Sequence, residues 1–276
     1  MFKAIDWLLY SNLWIALNAA AQVAQTQLLL GGRIALTPSL GFVFSGTLFL
    51  YALHRINGLE QVAPFTGFGR YKVISSHKSH ILVYALLGLA GAGVCFLLLP
   101  WALQWKLLLP GLIAMGYVIP AGKSGKRLRD LHFLKIFLIA TVWAWITVWL
   151  PAAEAGRGFE RNILLMALER ASFIFAITLP FDVRDLRIDQ HTRVRTLPAF
   201  LGIPLTVALS LFLLFLMMIF AGMNHYPPGV MTALGISAAL SAALSAFSNK
   251  IEHDYYFSGL LDGMMAVQFL LVLALF

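Results

Sequence analysis

Residues 179–198 read LPFDVRDLRIDQHTRVRTLP, placing Asp182, Asp185 and Asp189 among Arg184, Arg187, Arg193 and Arg195 directly after an uncharged run from 171 to 181. Charge is scarce in this chain. Of its 276 residues 60% are hydrophobic and 12% charged, with a mean hydropathy of +0.83. A soluble domain of that composition would lack the polar surface needed to cover itself. An abrupt change from an apolar run to clustered charge therefore marks a point where the chain leaves a membrane, and the fold to expect is a multi-spanning helical bundle.

Working outward, hydrophobic runs long enough to cross a hydrocarbon layer as helix fall at 8–30, 38–56, 80–98, 103–119, 132–151, 161–180, 199–222, 228–247 and 257–276. This predicts nine crossings in one all-α domain spanning 1–276 around a central cavity that opens on the cytoplasmic side. Lys and Arg concentrate in the loops 57–79, 120–131, 181–198 and 248–256 and at Lys3, whereas the opposite face has Arg33, Lys106, Arg157 and Arg161. The positive-inside tendency then sets the amino terminus in the cytoplasm and the carboxyl terminus outside, as in a bacterial cytoplasmic membrane. The net charge of +8 is accordingly a topology signal, with no nucleic-acid partner implied, and no required protein partner is evident. Cys95, the single cysteine, precludes a disulfide framework or cysteine metal site within one chain. The opening MFKAIDWLLYSN has no small-residue cleavage site and reads as retained. No segment can bury a soluble core of its own.

The spacing of Asp182, Asp185 and Asp189, i, i+3 and i+7, predicts three carboxylates on one face of a helix. Like charges so placed repel and call for a cation. The local arginines are one candidate, and a hard divalent ion such as Mg²⁺, which prefers carboxylate oxygens and bridges to phosphates, is the other. On residues alone a solvated juxtamembrane helix of locally paired Asp and Arg stands beside the metal reading. A second loop, PAGKSGKRLRDLHFLK at 120–135, contributes Lys123, Lys126, Arg127, Arg129 and Lys135, a set able to face those carboxylates and clamp a polyanion. Its GKS does not belong to a nucleotide-binding loop, because Tyr117 stands where the first glycine is required and no strand precedes it.

The segment FDVRDLRIDQHTRVRTLPAFLG, 181–202, resembles the second aspartate-rich motif of the UbiA superfamily of intramembrane prenyltransferases. Asp185 and Asp189 match its D-x-x-x-D, Thr196, Leu197 and Pro198 its threonine-leucine-proline, and Gly202 the glycine that opens the next helix, with Asp182 one turn earlier. The resemblance implies binding of a prenyl diphosphate through Mg²⁺ held by Asp182, Asp185 and Asp189, departure of diphosphate, and transfer of the allylic group to a lipophilic, usually aromatic, acceptor. It assigns Asp185 and Asp189 to catalysis and Lys123, Lys126, Arg127, Arg129, Lys135, Arg184 and Arg195 to the substrate. The first aspartate-rich motif is absent. In YALHRINGLEQ, 51–61, Tyr51 stands at the motif's asparagine, Ala52, Arg55 and Leu59 stand at its carboxylates, and Glu60 is beside the last. Arg55, aided by His54 and Tyr51, is therefore expected to replace one metal by contacting diphosphate or Asp185.

Other polar residues carry less. Glu169 and Arg170 lie within a span and, being adjacent, should each find a partner on a different helix. Asp262 opens DGMMAVQ, similar to the start of the CDP-alcohol phosphotransferase pattern, but Val267 occupies the arginine position, which rejects it. His77 and His80 lack a matching acid or cysteine nearby and read as loop residues. Trp143, Trp145 and Trp149 read as packing or interfacial anchors. Three classes of function remain: a divergent prenyltransferase, a non-catalytic protein that binds a lipid diphosphate, and a transporter. The last is disfavoured by charge gathered at one face and by the lack of a visible repeat.

Overall fold

The computed structural model describes residues 4–58, 74–119, 127–131, 133–191 and 194–276. Among them all regular structure is helical: α1 (Ala4–Tyr10), α2 (Leu13–Gly31), α3 (Pro38–Gly58), α4 (Lys78–Leu98), α5 (Trp101–Val118), α6 (Leu134–Glu154), α7 (Arg161–Arg184), α8 (Leu186–His191), α9 (Leu197–Leu201), α10 (Ile203–Met223), α11 (Pro228–Lys250) and α12 (Tyr255–Leu275). Widened π-type turns interrupt α6 at Trp145–Trp149 and open α12 at Tyr255–Leu261.

Among the described residues seven helices, α3, α4, α6, α7, α10, α11 and α12, are long and apolar enough to cross a membrane. The crossings expected at 8–30 and 103–119 also form long helices, α2 and α5, but they fall short of those seven. The physical reason is their polar content. In α2, Asn18, Gln22, Gln25 and Thr26 are all fully buried, so this helix is apolar toward lipid and polar toward its neighbours. In α5 Gln104 and Lys106 lower the average, and Pro110 sits inside the helix without ending it.

Helix adjacency places α2 between α3 and α12, after which α11, α10, α7 and α6 follow in turn, with α5 between α6 and α3. Outward faces are apolar, as Leu86 and Leu97 on α4, Leu112 on α5 and Phe215 on α10 show. Such surface suits a hydrocarbon solvent. Inside, the polar residues pair across helices. Gln22 Nε2 donates to the Met265 carbonyl at 2.7 Å, Gln25 Nε2 to Gln268 Oε1 at 3.3 Å, and Gln268 Nε2 to Ser237 Oγ at 3.1 Å, joining α2, α12 and α11. Without water in the bilayer core, these groups must satisfy one another. Small residues bring α3 and α4 together: a Cβ at Gly88 would lie 2.8 Å from both the Ser45 carbonyl oxygen and the Phe49 nitrogen.

Glu169 and Arg170 diverge as expected for neighbours on one helix. Tyr226 OH donates to Glu169 Oε2 at 3.2 Å, while Arg170 Nη1 donates to the Gln22 carbonyl at 3.0 Å and to Thr147 Oγ1 at 3.3 Å.

Candidate functional site

Three of the helices that line the bundle interior change character along their length in the same direction. On α3 the lining runs from Thr47 and Leu50 to His54 and Arg55, and on α7 from Ile174 and Ile177 to Asp182. On α6, which runs antiparallel to them, it goes from Ile146 and Trp143 back to Lys135. The result is one cavity of about 350 Å³, apolar at its inner end and charged at its mouth. The mouth is on the side of the amino terminus, since α3 and α7 end there while α2, α6 and α12 begin there.

The acidic segment does not form the single helix face that its spacing predicts. Asp182 is in the last turn of α7, Asp185 is the residue on which that helix stops, and Asp189 lies in the separate short helix α8. The break separates three like charges. Asp182 and Asp189, both almost fully buried, turn toward Lys135 in the first turn of α6, with the ammonium Nζ 2.6 Å from Asp182 Oδ1 and 3.7 Å from Asp189 Oδ2. Asp185 turns the other way. Arg184 donates through Nε to Asp185 Oδ1 at 2.8 Å and through Nη2 to Oδ2 at 3.2 Å, while its Nη1 reaches Asp254 Oδ1 at 2.7 Å. The same guanidinium lies over the rings of Phe181 and Phe257, 5.0 and 4.8 Å from their centroids. Burial pushes the Asp189 carboxyl up to about 6; Lys135 acts against that shift and the nearby Asp185 and Asp182 add to it.

Arg127, Arg129 and Asp130 also line the cavity. Arg127 is buried and fixed by Asp130, donating through Nε at 3.1 Å and through Nη2 at 3.0 Å. Burial acts to raise the Asp130 carboxyl, but these bonds outweigh it and hold the group below its ordinary range. Arg129 Nη1 donates to His54 Nε2 at 2.5 Å and its guanidinium lies 5.8 Å from the Tyr117 ring centroid. Arg55 lines the cavity, donates through Nη1 to the Tyr10 carbonyl at 3.1 Å and lies over the Tyr10 ring. Tyr51 lines the cavity a turn deeper. Lys123, Lys126, Leu59 and Glu60 lie outside the described residues. Arg195 is exposed and does not line the cavity; its carbonyl accepts the Phe133 N–H at 3.1 Å, which ties the segment after α8 to the start of α6.

Two carboxylates at the mouth escaped the sequence reading. Asp254, just before α12, and Asp262 within it both line the cavity. Asp262 was visible as an acid inside an apolar run, a signal set aside with the rejected motif. Asp254 sits in a polar loop where nothing local distinguishes it.

The donor set suits Mg²⁺. Asp182 Oδ1 and Asp189 Oδ2 are buried carboxylate oxygens, both within ion-pair distance of the Lys135 ammonium, and Asp182 Oδ1 has no hydrogen-bond partner among the described residues. Mg²⁺ is commonly held by one or two carboxylates with waters and substrate phosphates completing its shell. Among the described residues no group of three or more Asp, Glu, His or Cys side chains is close enough to hold a metal unaided, so a phosphate ligand would have to complete the coordination.

No protein-family model and no curated protein matches the chain in sequence. In structure it is similar to a UbiA homologue from Aeropyrum pernix K1, with a TM-score of 0.65 and 15% identity over 99% of this chain and 97% of that one. It is also similar to a UbiA homologue from Archaeoglobus fulgidus bound to GPP and Mg²⁺, with a TM-score of 0.63 and 11% identity over 97% and 99%. A third match is digeranylgeranylglyceryl phosphate synthase, with a TM-score of 0.59 and 13% identity over 100% and 99%. The UbiA-like fold expected from residues 181–202 is thus the fold observed, end to end.

Proposed function

We propose that this chain, folded as UbiA homologues are, is an intramembrane prenyltransferase. It binds an isoprenyl diphosphate with the diphosphate at the charged mouth and the tail in the apolar end of the cavity. One observation carries the reading: the lining of α3, α6 and α7 changes from apolar to charged toward the same end, which matches a ligand with an anionic head and a hydrocarbon tail. The A. fulgidus homologue, bound to GPP and Mg²⁺, takes a ligand of that kind.

Residue roles follow from position. Asp182 and Asp189 would hold Mg²⁺, with Asp185 nearby, and the metal would supply charge compensation for the departing diphosphate. Arg127 and Arg129 neutralise the phosphates from one wall, Lys123 and Lys126 add positive charge in the adjoining sequence, and Arg55 acts from α3, where carboxylates are absent, with His54 and Tyr51 offering hydrogen bonds. The allylic C–O bond breaks and its electron pair leaves with the diphosphate. The allylic carbon bonds to the acceptor, and the proton displaced from the acceptor leaves with the diphosphate. Trp143 and Tyr51 offer aromatic faces that stabilise a cation without trapping it, and the apolar end excludes water. The positive-inside distribution of Lys and Arg supports a mouth that faces the cytoplasm.

The test is diphosphate release from geranyl, farnesyl and geranylgeranyl diphosphate by the purified protein in detergent, with and without Mg²⁺. Release that requires the metal and Asp185 supports the reading. Binding without release identifies a non-catalytic lipid-diphosphate binder, and absence of both refutes the proposal.

A further inference from the structure

We propose that Lys135 is the resident counterion of the Asp182–Asp189 pair and makes binding of a divalent cation conditional on a diphosphate, an inference that rests on the diphosphate reading above.

The geometry is specific. Lys135 Nζ stands 2.6 Å from Asp182 Oδ1 and 3.7 Å from Asp189 Oδ2, within ion-pair distance of both carboxylates. All three side chains are nearly buried. A metal ion entering between these oxygens meets the ammonium within contact distance, and two cations in a poorly solvated space repel strongly. Metal binding therefore requires Lys135 to move, and its unbranched four-carbon stem allows that. The two carboxylates are less free, one in the last turn of α7 and the other in α8, where the Asp189 N–H is bonded to the Asp185 carbonyl at 2.9 Å.

A displaced ammonium needs new acceptors. The nearby acids have cations already: Asp130 is engaged by Arg127, and Asp185 by Arg184. Arg129, on the same wall of the mouth as Arg127, is itself a cation. Metal alone would thus leave a buried ammonium facing other positive groups, which is costly. A diphosphate removes that cost by supplying oxygens to Lys135 while completing the shell of the metal. Each ligand then favours the other by the same factor, because coupling between two binding sites is reciprocal. The free protein holds its carboxylates without a metal, and the metal arrives with the substrate.

The experiment measures binding of Mn²⁺, a paramagnetic stand-in for Mg²⁺, by equilibrium dialysis with electron paramagnetic resonance detection. Protein is in detergent, with or without geranyl S-thiolodiphosphate, an analogue that resists ionisation. In the wild type, Mn²⁺ affinity should be at least tenfold higher with the analogue than without it. Lys135→Met should raise the affinity for Mn²⁺ alone at least tenfold and reduce the coupling to less than threefold, whereas Lys135→Arg should preserve the wild-type pattern. Lys135→Gln serves the same purpose should the methionine variant fail to fold, and the wild-type comparison stands independently of both. Equal Mn²⁺ affinity with and without bound analogue in the wild type overturns the inference, as does unchanged affinity for Mn²⁺ alone in the neutral variants. Failure of the analogue to bind at all refutes the diphosphate reading instead, and the comparison of Lys135→Met with wild type in Mn²⁺ alone still decides the role of Lys135.

Discussion

Arg184 connects Asp185, where α7 stops, to Asp254 just before α12, with Nε 2.8 Å from the first carboxylate and Nη1 2.7 Å from the second. One guanidinium thereby joins two walls of the mouth that are distant in sequence, and the rings of Phe181 and Phe257 flank it. Arg184→Met removes the joint and leaves two partly buried carboxylates facing each other. The expected loss is about 2–3 kcal/mol, below that of a fully buried pair because some exposure remains. Thermal unfolding in detergent checks it. Adding Asp254→Asn to Arg184→Met should recover part of the loss, and a double variant no more stable than the single one would refute the pairing argument.

Asp185→Asn preserves shape and removes one charge at the mouth. Arg184 keeps Asp254, so stability should change by no more than about 1 kcal/mol. Catalysis should respond far more. Metal-dependent diphosphate release is expected to fall at least about 100-fold, the order seen when a group that organises charge stabilisation is removed. Initial rates of diphosphate release read the effect, and a rate within threefold of wild type would remove Asp185 from the site.

The acidic segment was legible because Asp182, Asp185 and Asp189 stand out against an apolar background, and membrane burial of charge is costly enough to advertise function. Lys135 was legible as a cation near the mouth. Its pairing with both Asp182 and Asp189 was not, because that depends on α6 lying against the end of α7 and on the helix stopping at Asp185. A regular spacing of i, i+3 and i+7 gives no warning of such a stop. Asp254 and Asp262 were missed for a related reason: they complete the mouth only once α12 closes against α2, a contact more than two hundred residues apart in sequence. The polar face of α2 was hidden inside a run read as simply hydrophobic, since hydropathy averages over faces.

The approach of α3 and α4 separates two glycines that look alike in sequence. At Gly88 a Cβ would meet backbone atoms, the Ser45 oxygen and the Phe49 nitrogen, both at 2.8 Å. At Gly91 the nearest atoms are the Ser45 hydroxyl, at 2.7 Å, which can rotate away, and the Ser45 Cβ, at 3.2 Å, which has to give by only a few tenths of an ångström. Helices must separate to admit the first side chain but not the second. Gly88→Ala should cost about 2–3 kcal/mol and Gly91→Ala less than half as much, as measured by thermal unfolding in detergent. Equal costs would show that the backbone contact does not limit the packing.

Arg170 gives the opposite kind of prediction. Its side chain is fully buried, and of its nitrogens Nη1 bonds to the Gln22 carbonyl and Thr147 Oγ1 while Nε and Nη2 have no hydrogen-bond partner among the described residues. The two groups it serves have other bonds. Gln22 O also accepts from Thr26 Oγ1 at 3.2 Å, and Thr147 Oγ1 donates to the Trp143 carbonyl at 2.7 Å. Removing a buried cation recovers its desolvation cost, which is large where its hydrogen bonds are incomplete. Arg170→Met should therefore leave stability within about 1 kcal/mol of wild type, while Arg170→Ala, which empties the volume as well, should lose about 2–4 kcal/mol. Unfolding midpoints of the two variants in one detergent distinguish a packing role from an electrostatic one: equal losses would mean that the charge itself holds α2, α6 and α7 together.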